Sequence, residues 1–261
     1  MRKVDYHMHT YFSADSEENP RNHVLEAIEN GLEEICFTEH RDFHFPGMSF
    51  DLAVSSYFKE IRALQQEFDS KIIIKIGLEM GLDSRFKKEI NDFVHSVPFD
   101  FVIGSVHEIN DCEVYDHTGY YEEKSKQQAQ QMYFEAVLDC IRTFDCFNSL
   151  GHLDYVARYG PYEDKSIDFE QYEGIIRQIA KELVAKNKGM EVNTRLFQLK
   201  KTQTFYHFFL EQYVKAGGKI VTLGTDSHIA QRDWSSVSLA RQLIADAGIT
   251  SLSTFTKQIL D

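Results

Sequence analysis

The sequence predicts a closed or nearly closed α/β barrel of seven parallel strands. Three observations carry this expectation. Seven short β-rich runs alternate with helical patterns along all 261 residues. The runs are apolar almost throughout, as strands covered by helices on their outer face must be. No linker, repeat or low-complexity stretch divides the chain, so 1–261 reads as one barrel domain. An open dinucleotide-binding sheet has no support, because no G-x-G-x-x-G follows the first run.

The strand candidates are "KVDYHMH" (3–9), "EEICFTEH" (33–40), "KIIIKIGLE" (71–79), "FDFVIGSVH" (99–107), "CFNSLGH" (146–152), "GMEVNT" (189–194) and "GKIVTLGTDSH" (218–228). Between them, apolar residues recur at three- and four-residue spacing, as in Val24–Leu25–Ile28, Tyr57–Ile61–Leu64–Phe68 and Met132–Ala136–Val137–Cys140. Asn30-Gly31, Lys188-Gly189 and Gly217-Gly218 stand at expected helix ends, where a left-handed residue stops the helix.

Composition is that of an ordinary globular protein, 43% hydrophobic and 26% charged, with a net charge of −13. An acidic chain of this kind argues against broad binding to nucleic acid or anionic lipid. No apolar run approaches the ~20 residues that span a bilayer, and "MRKVDYHMHT" lacks the apolar core of a signal peptide. Cys36, Cys112, Cys140 and Cys146 show no C-x-x-C spacing, so a reducing, cytoplasmic setting is expected.

Chemistry enters with the histidines. His7 and His9 in "VDYHMHT" are two residues apart, and on a strand such residues share a face. Of eleven histidines, His7, His9, His40, His107, His152 and His228 fall at or just beyond the C-terminal end of a strand candidate. Glu79, Asp226 and, in the loop after the first strand, Asp15 occupy similar positions. In a parallel barrel all these ends meet on one face, where such folds carry their active sites. Imidazole and carboxylate without thiolate are ligands for Zn, Mn or Fe, and nine of them suit three ions with open positions. His23, His95 and His207 belong to helices and are expected to serve packing or surface; His44 and His117 lie in loops and stay open.

The ordered motifs "HMH", "FTEH", "GLEMG", "GSVH", "GHLDYVARYG", "EVNTR" and "LGTDSH" resemble those of the polymerase and histidinol phosphatase (PHP) family. The resemblance spans essentially the whole chain and implies a distorted (β/α)7 TIM-like barrel with a trinuclear metal centre. It implies a first metal on His7, His9, Glu79 and Asp226, and a second on Asp15, His40 and His228. Glu79 would bridge to a third, completed by His107 and His152. Asp15 stands where some members have histidine, so metal identity stays open among Zn, Fe and Mn. The resemblance also implies phosphate-binding roles for Arg158 and Arg195, although "EVNTR" departs from the family's common glycine-containing turn. Within the family the sequence is most similar to monofunctional phosphatases acting on L-histidinol phosphate in histidine biosynthesis.

Charge arithmetic agrees with a phosphate substrate. Three divalent ions bring about +6 and the three acids −3, leaving a cationic pocket inside an acidic protein. The expected chemistry is in-line attack on phosphorus by a metal-bridged hydroxide, with no covalent phosphoenzyme. The loop "EINDCEVYDHTGYYEEK" (108–124) is acidic and aromatic and follows the fourth strand onto the same face. It could receive an imidazole and an amino group, and Asp42 and His44 are similar loop candidates. The alternatives are a general or nucleotide phosphomonoesterase, a nuclease, or a non-catalytic barrel. The acidic surface counts against a nuclease, and the complete ligand set against a non-catalytic barrel.

Overall fold

A computed structural model of the chain describes every residue except Pro46, Met48 and Thr118, so those positions of the 41–48 and 108–124 loops lie outside the described residues. Seven parallel strands form one sheet in chain order. They are β1 (Val4–Asp5), β2 (Glu34–Arg41), β3 (Ile73–Gly81), β4 (Phe101–Ser105), β5 (Ser149–Leu150), β6 (Gly189–Asn193) and β7 (Val221–Gly224). Helices α1 (Pro20–Glu29), α2 (Val54–Glu67), α3 (Lys87–Ser96), α4 (Lys126–Thr143), α5 (Tyr155–Tyr159), α6 (Glu173–Ala185), α7 (Lys200–Lys215) and α8 (Trp234–Asp246) complete the alternation.

The sheet closes on itself beyond the last ladder. Tyr6 N–H donates to Leu223 O (2.9 Å), Asp226 N–H to His7 O (2.8 Å) and His9 N–H to Ser227 O (2.9 Å). These bonds carry β1 and β7 past their regular pairing, with a parallel bridge between Met8 and Ser227. The strands run shorter than the apolar patterns predict at the first, fifth and seventh positions; at the first and seventh the pairing continues across the closing seam as single bonds.

Local signals explain the helix boundaries. Asn19 caps α1 by accepting from Arg21 N–H, and Pro20 occupies the first turn, where its missing donor costs nothing. Ser125 and Gln128 form a reciprocal capping box at α4. Gly31 and Gly217 take the expected left-handed conformation (φ +68° and +100°). At Lys188-Gly189 the expectation is corrected: Asn187 adopts it instead (φ +55°), because Gly189 is already paired in β6.

The N-terminal end of the barrel is plugged by the chain's last residues. A small hairpin, Phe255–Thr256 with Ile259–Leu260, folds beneath the strands, and the Phe255 ring lies 5.0 Å from Phe101. Cys36, Cys140 and Cys146 are buried free thiols, and Cys112 is half-buried and also free. No helix among the described residues is long and apolar enough to cross a membrane.

Candidate metal centre

The parallel strands point their C-terminal ends the same way, and the nine expected side chains meet there. Glu79, near the end of β3 and fully buried, is their centre. Its Oε2 lies 3.0 Å from His7 Nε2, 3.2 Å from His9 Nε2 and 3.1 Å from His40 Nδ1. Its Oε1 lies 2.7 Å from His152 Nε2 and 3.2 Å from His107 Nε2. The carboxylate therefore faces one set of imidazoles with each oxygen, the arrangement of a bridging ligand. Asp226 Oδ1 approaches His9 Nε2 at 3.4 Å and His7 Nε2 at 3.7 Å. Asp15 Oδ2 lies 3.0 Å from His228 Nε2 and 3.5 Å from His40 Nε2, forming the outer corner.

These donors fit cations better than they fit one another. His107 Nε2 and His40 Nδ1 are buried, sit close to Glu79 and make no hydrogen bond. Buried polar atoms without partners are costly and uncommon, and convergent unpartnered nitrogens on one carboxylate are the donor set of a metal site. Clusters such as His7–His9–Glu79, Glu79–His107–His152 and His9–His40–His228 each bring their ligand atoms within 4.8 Å of one another. The titration behaviour shows the same demand for positive charge. Burial alone would raise Glu79, but His7, His40 and His107 hold it well below the usual carboxylate range. Burial opposes Asp226 and Asp15 in the same way; His7 and Arg158 hold the first low, His228 and His40 the second. Burial would lower His107, yet Asp42 and Glu79 push it up to about 10.

A second ring of side chains orients the first. Glu191 Oε1 takes a hydrogen bond from His7 Nδ1 (2.7 Å), and its Oε2 accepts from His152 N–H (2.8 Å). Asp42 Oδ1 bonds His107 Nδ1 at 2.8 Å. Ser13 Oγ lies 3.2 Å from His9 Nδ1 and donates to Glu39 Oε2 at 2.6 Å. With Nδ1 held this way, Nε2 is left to face the centre, which is how ligating imidazoles are usually fixed. Two glycines make room. A Cβ on Gly224 would strike Glu191 and His7, and one on Gly81 would strike Asp42. Glu191, Ser13 and Glu39 did not emerge from the sequence, and Asp42 emerged only as a loop candidate. The one signal available was the acid in "EVNT", two residues before Asn193, which itself donates to Glu191 Oε2 (3.1 Å).

The two arginines differ. Arg195 reaches the mouth of the site, where its Nη1 donates to Asp226 O (3.0 Å). Arg158 is 7% exposed, and its guanidinium is held by Asp226 Oδ2 and by Asp154 Oδ1 (3.3 Å). Outside the centre, His23 is buried under it, bonded through Nε2 to His9 O (3.0 Å), and burial with nearby Arg232 pushes it down to about 3. His95 and His207 are exposed on helices. His44 stacks on Phe86 and His117 is exposed near Tyr121, so neither joins the cluster.

A cavity of about 520 Å³ opens onto the centre. It is lined by Asp15, His40, His107, His228 and Arg195 together with Asp42, Phe45, Phe50, Glu113, Tyr115, Tyr155 and Tyr159.

The PHP domain family matches residues 5–195. The chain belongs to this family. Among PHP relatives, a histidinol-phosphatase of Lactococcus lactis subsp. lactis is 59% identical over 261 residues, covering 100% of this chain and 97% of the relative. A probable histidinol-phosphatase of Clostridium acetobutylicum is 32% identical over 86% of each chain. The crystal structure of histidinol phosphate phosphatase from L. lactis, complexed with zinc, L-histidinol and phosphate, superposes with a TM-score of 0.99 over 100% of this chain and 99% of that one. A crystal structure from Listeria monocytogenes described as a putative histidinol phosphatase, 21% identical, shares the fold with a TM-score of 0.72 over 90% of this chain and 99% of its own.

Proposed function

We propose that the chain hydrolyses L-histidinol phosphate to L-histidinol and phosphate, a step of histidine biosynthesis, in the cytoplasm and with residues 1–261 acting as one catalytic domain. The observation that carries the reading is Glu79, whose two oxygens gather five imidazoles within 3.2 Å beneath an open cavity. The full-length likeness to a histidinol-phosphatase supports the substrate.

The proposed ligands are His7, His9, Glu79 and Asp226 for one divalent ion, Asp15, His40 and His228 for another, and Glu79, His107 and His152 for a third. Zinc, iron and manganese all suit this donor set. Such ions supply Lewis acidity toward the phosphate oxygens and lower the pKa of water toward neutrality. The chain's own residues do the rest. Arg195 lines the cavity and offers planar donors to the phosphate. Arg158 meets Asp226 from the buried side, so its proposed contact with phosphate requires Asp226 to release its Nη1.

The walls suit the other end of the substrate. Glu113 and Tyr115 come from the 108–124 loop, and Tyr155 and Tyr159 from α5. Partial burial and neighbouring Asp116, Glu108 and Asp42 push Glu113 up to about 6, so it is anionic at neutral pH. An anionic carboxylate between aromatic rings receives an amino group or an imidazole.

The test is phosphate release by purified protein loaded with Mn, Zn or Fe, on L-histidinol phosphate beside nucleotide and sugar phosphates. A strong preference for histidinol phosphate that a chelator abolishes is the expected result. Comparable rates across the panel would replace this reading with a general phosphomonoesterase.

A further inference from the structure

The seam between β1 and β7 is where two ligand-bearing segments face each other, His7 and His9 on one side and Asp226 and His228 on the other. It is the thinnest join in the barrel. Where β2 and β3 pair residue by residue from Glu34↔Ile73 to Arg41↔Met80, β1 and β7 share only single backbone bonds and an isolated bridge. Yet Asp226 is held there in a left-handed backbone conformation (φ +54°), which an L-residue other than glycine adopts only under constraint.

A buried carboxylate supplies a constraint. Asp5, 1% exposed on β1, accepts from Thr225 N–H (3.0 Å) and His7 N–H (3.3 Å) through Oδ1. Its Oδ2 accepts from Thr225 Oγ1 (2.7 Å) and Arg232 Nε (2.7 Å). Arg232, 5% exposed, spends its other nitrogens on Ala230 O (3.0 Å) and Met8 Sδ (3.2 Å). Neither Asp5 nor Arg232 belongs to any cluster able to hold an ion among the described residues. A buried ion pair is a poor source of net stability, because desolvation of both charges offsets their attraction. Its effect lies in what it fixes: Asp5 locks the residue just before Asp226, and Arg232 draws the loop leaving His228 back against β1.

We infer that Asp5 and Arg232 are positioning residues for the metal centre, acting through Thr225 to keep the Asp226 carboxylate turned onto His7 and His9. The inference rests on the reading that Asp226 is a metal ligand. Without the lock, Asp226 relaxes toward an ordinary backbone conformation, and its carboxylate leaves the two imidazoles.

The experiment is metal content per chain, by elemental analysis, after equilibration of zinc-loaded wild type, Asp5→Asn, Thr225→Val and Thr225→Ser with a graded series of chelator. Melting temperatures of the stripped proteins are recorded in parallel. Asp5→Asn and Thr225→Val are expected to release one equivalent at about tenfold lower chelator, the scale of a lost supporting contact at a metal site. Thr225→Ser, which keeps the hydroxyl, should match wild type. Thr225→Val keeps the inference testable if Asp5→Asn does not fold. Wild-type retention in both Asp5→Asn and Thr225→Val, with or without a lowered melting temperature, overturns the positioning role. Wild type that holds no zinc at all sinks the metal reading itself, and this inference with it.

Discussion

The two ends of the barrel are built to opposite rules. At the N-terminal end no buried charged side chain among the described residues is left without a hydrogen bond. Glu34 accepts from Arg2 Nη2 (2.6 Å) and from the Tyr6 hydroxyl, which in turn accepts from Phe255 N–H (3.0 Å). Tyr6 meets Phe101 edge-on and Phe255 packs against the same ring, each with centroids 5.0 Å apart, and all three are buried. At the C-terminal end, carboxylates and imidazoles crowd together with fewer bonds than they can make. Among the described residues, buried side-chain atoms lacking any hydrogen bond belong to His40, Asp42, His107, His152, Asp154 and Arg158, all in or beside the centre, with only His23 and Gln130 beyond it. A region that satisfies its own polar groups is stability; one that leaves them facing a common point is a site awaiting a ligand. The TIM-type division between a stabilising floor and a functional rim persists here with seven strands.

The contrast can be broken from either side. At the rim, Glu79→Gln should lower kcat about 10³-fold, since several kcal/mol of charge stabilisation depends on ions that this carboxylate gathers. Its stripped form should still fold and unfold cooperatively; a collapse of the fold instead would make the rim structural. At the floor, Phe255→Ala should cost about 3 kcal/mol in denaturant unfolding while kcat is unchanged, because a large ring leaves a cavity far from the chemistry. A matching loss of kcat would show that the two ends are not separable.

Between these lies the ring of orienting acids. Glu191→Gln should weaken metal retention about 10- to 100-fold, read by chelator competition, because His7 loses an anionic partner for its Nδ1. Glu113→Gln has a smaller expected effect, about a tenfold rise in KM for histidinol phosphate with kcat held, as half-exposed charge contacts contribute modestly. The wild-type KM should fall as pH rises through about 6, where Glu113 ionises, and the variant should lose that part of the profile.

The least of these effects is a stability trend. In protein stripped of metal, His107 is held up to about 10 against roughly 6.5 in the unfolded chain, so the folded state binds more protons between those values. Its contribution is complete below pH 6.5 and is lost as pH rises toward 10. Ions require neutral imidazole, so the melting-temperature gap between loaded and stripped protein should widen from pH 6 to pH 9. A gap that narrows would mean that protons are not replaced by metal at His107.

Much of this is legible in the amino-acid sequence. Near-continuous apolar runs ending in His, Glu or Asp mark the strands, and the parallel barrel follows from their alternation with helices, because both depend on patterns a few residues long. His7 and His9 share a face whatever the rest of the chain does. The orienting partners were not legible: Glu191 stands 184 residues from His7, and Asp5 is 220 from Thr225. Beyond the place of Glu191 in "EVNT", nothing local distinguishes those acids from the many others in the chain.

Arg158 makes the same point in reverse. The family resemblance implies a phosphate contact for it, and only the fold shows Asp154 and Asp226 holding its guanidinium on the buried side of the centre. The sequence by itself determined the strands, their order and the chemistry carried at their ends, since side-chain type and short-range periodicity are properties of a segment. Only the tertiary structure decided which carboxylate backs which imidazole and which arginine meets solvent. Those pairings exist because closure of the sheet at the β1–β7 seam brings distant residues to within 3 Å, and burial leaves each polar atom only the partners that closure supplies.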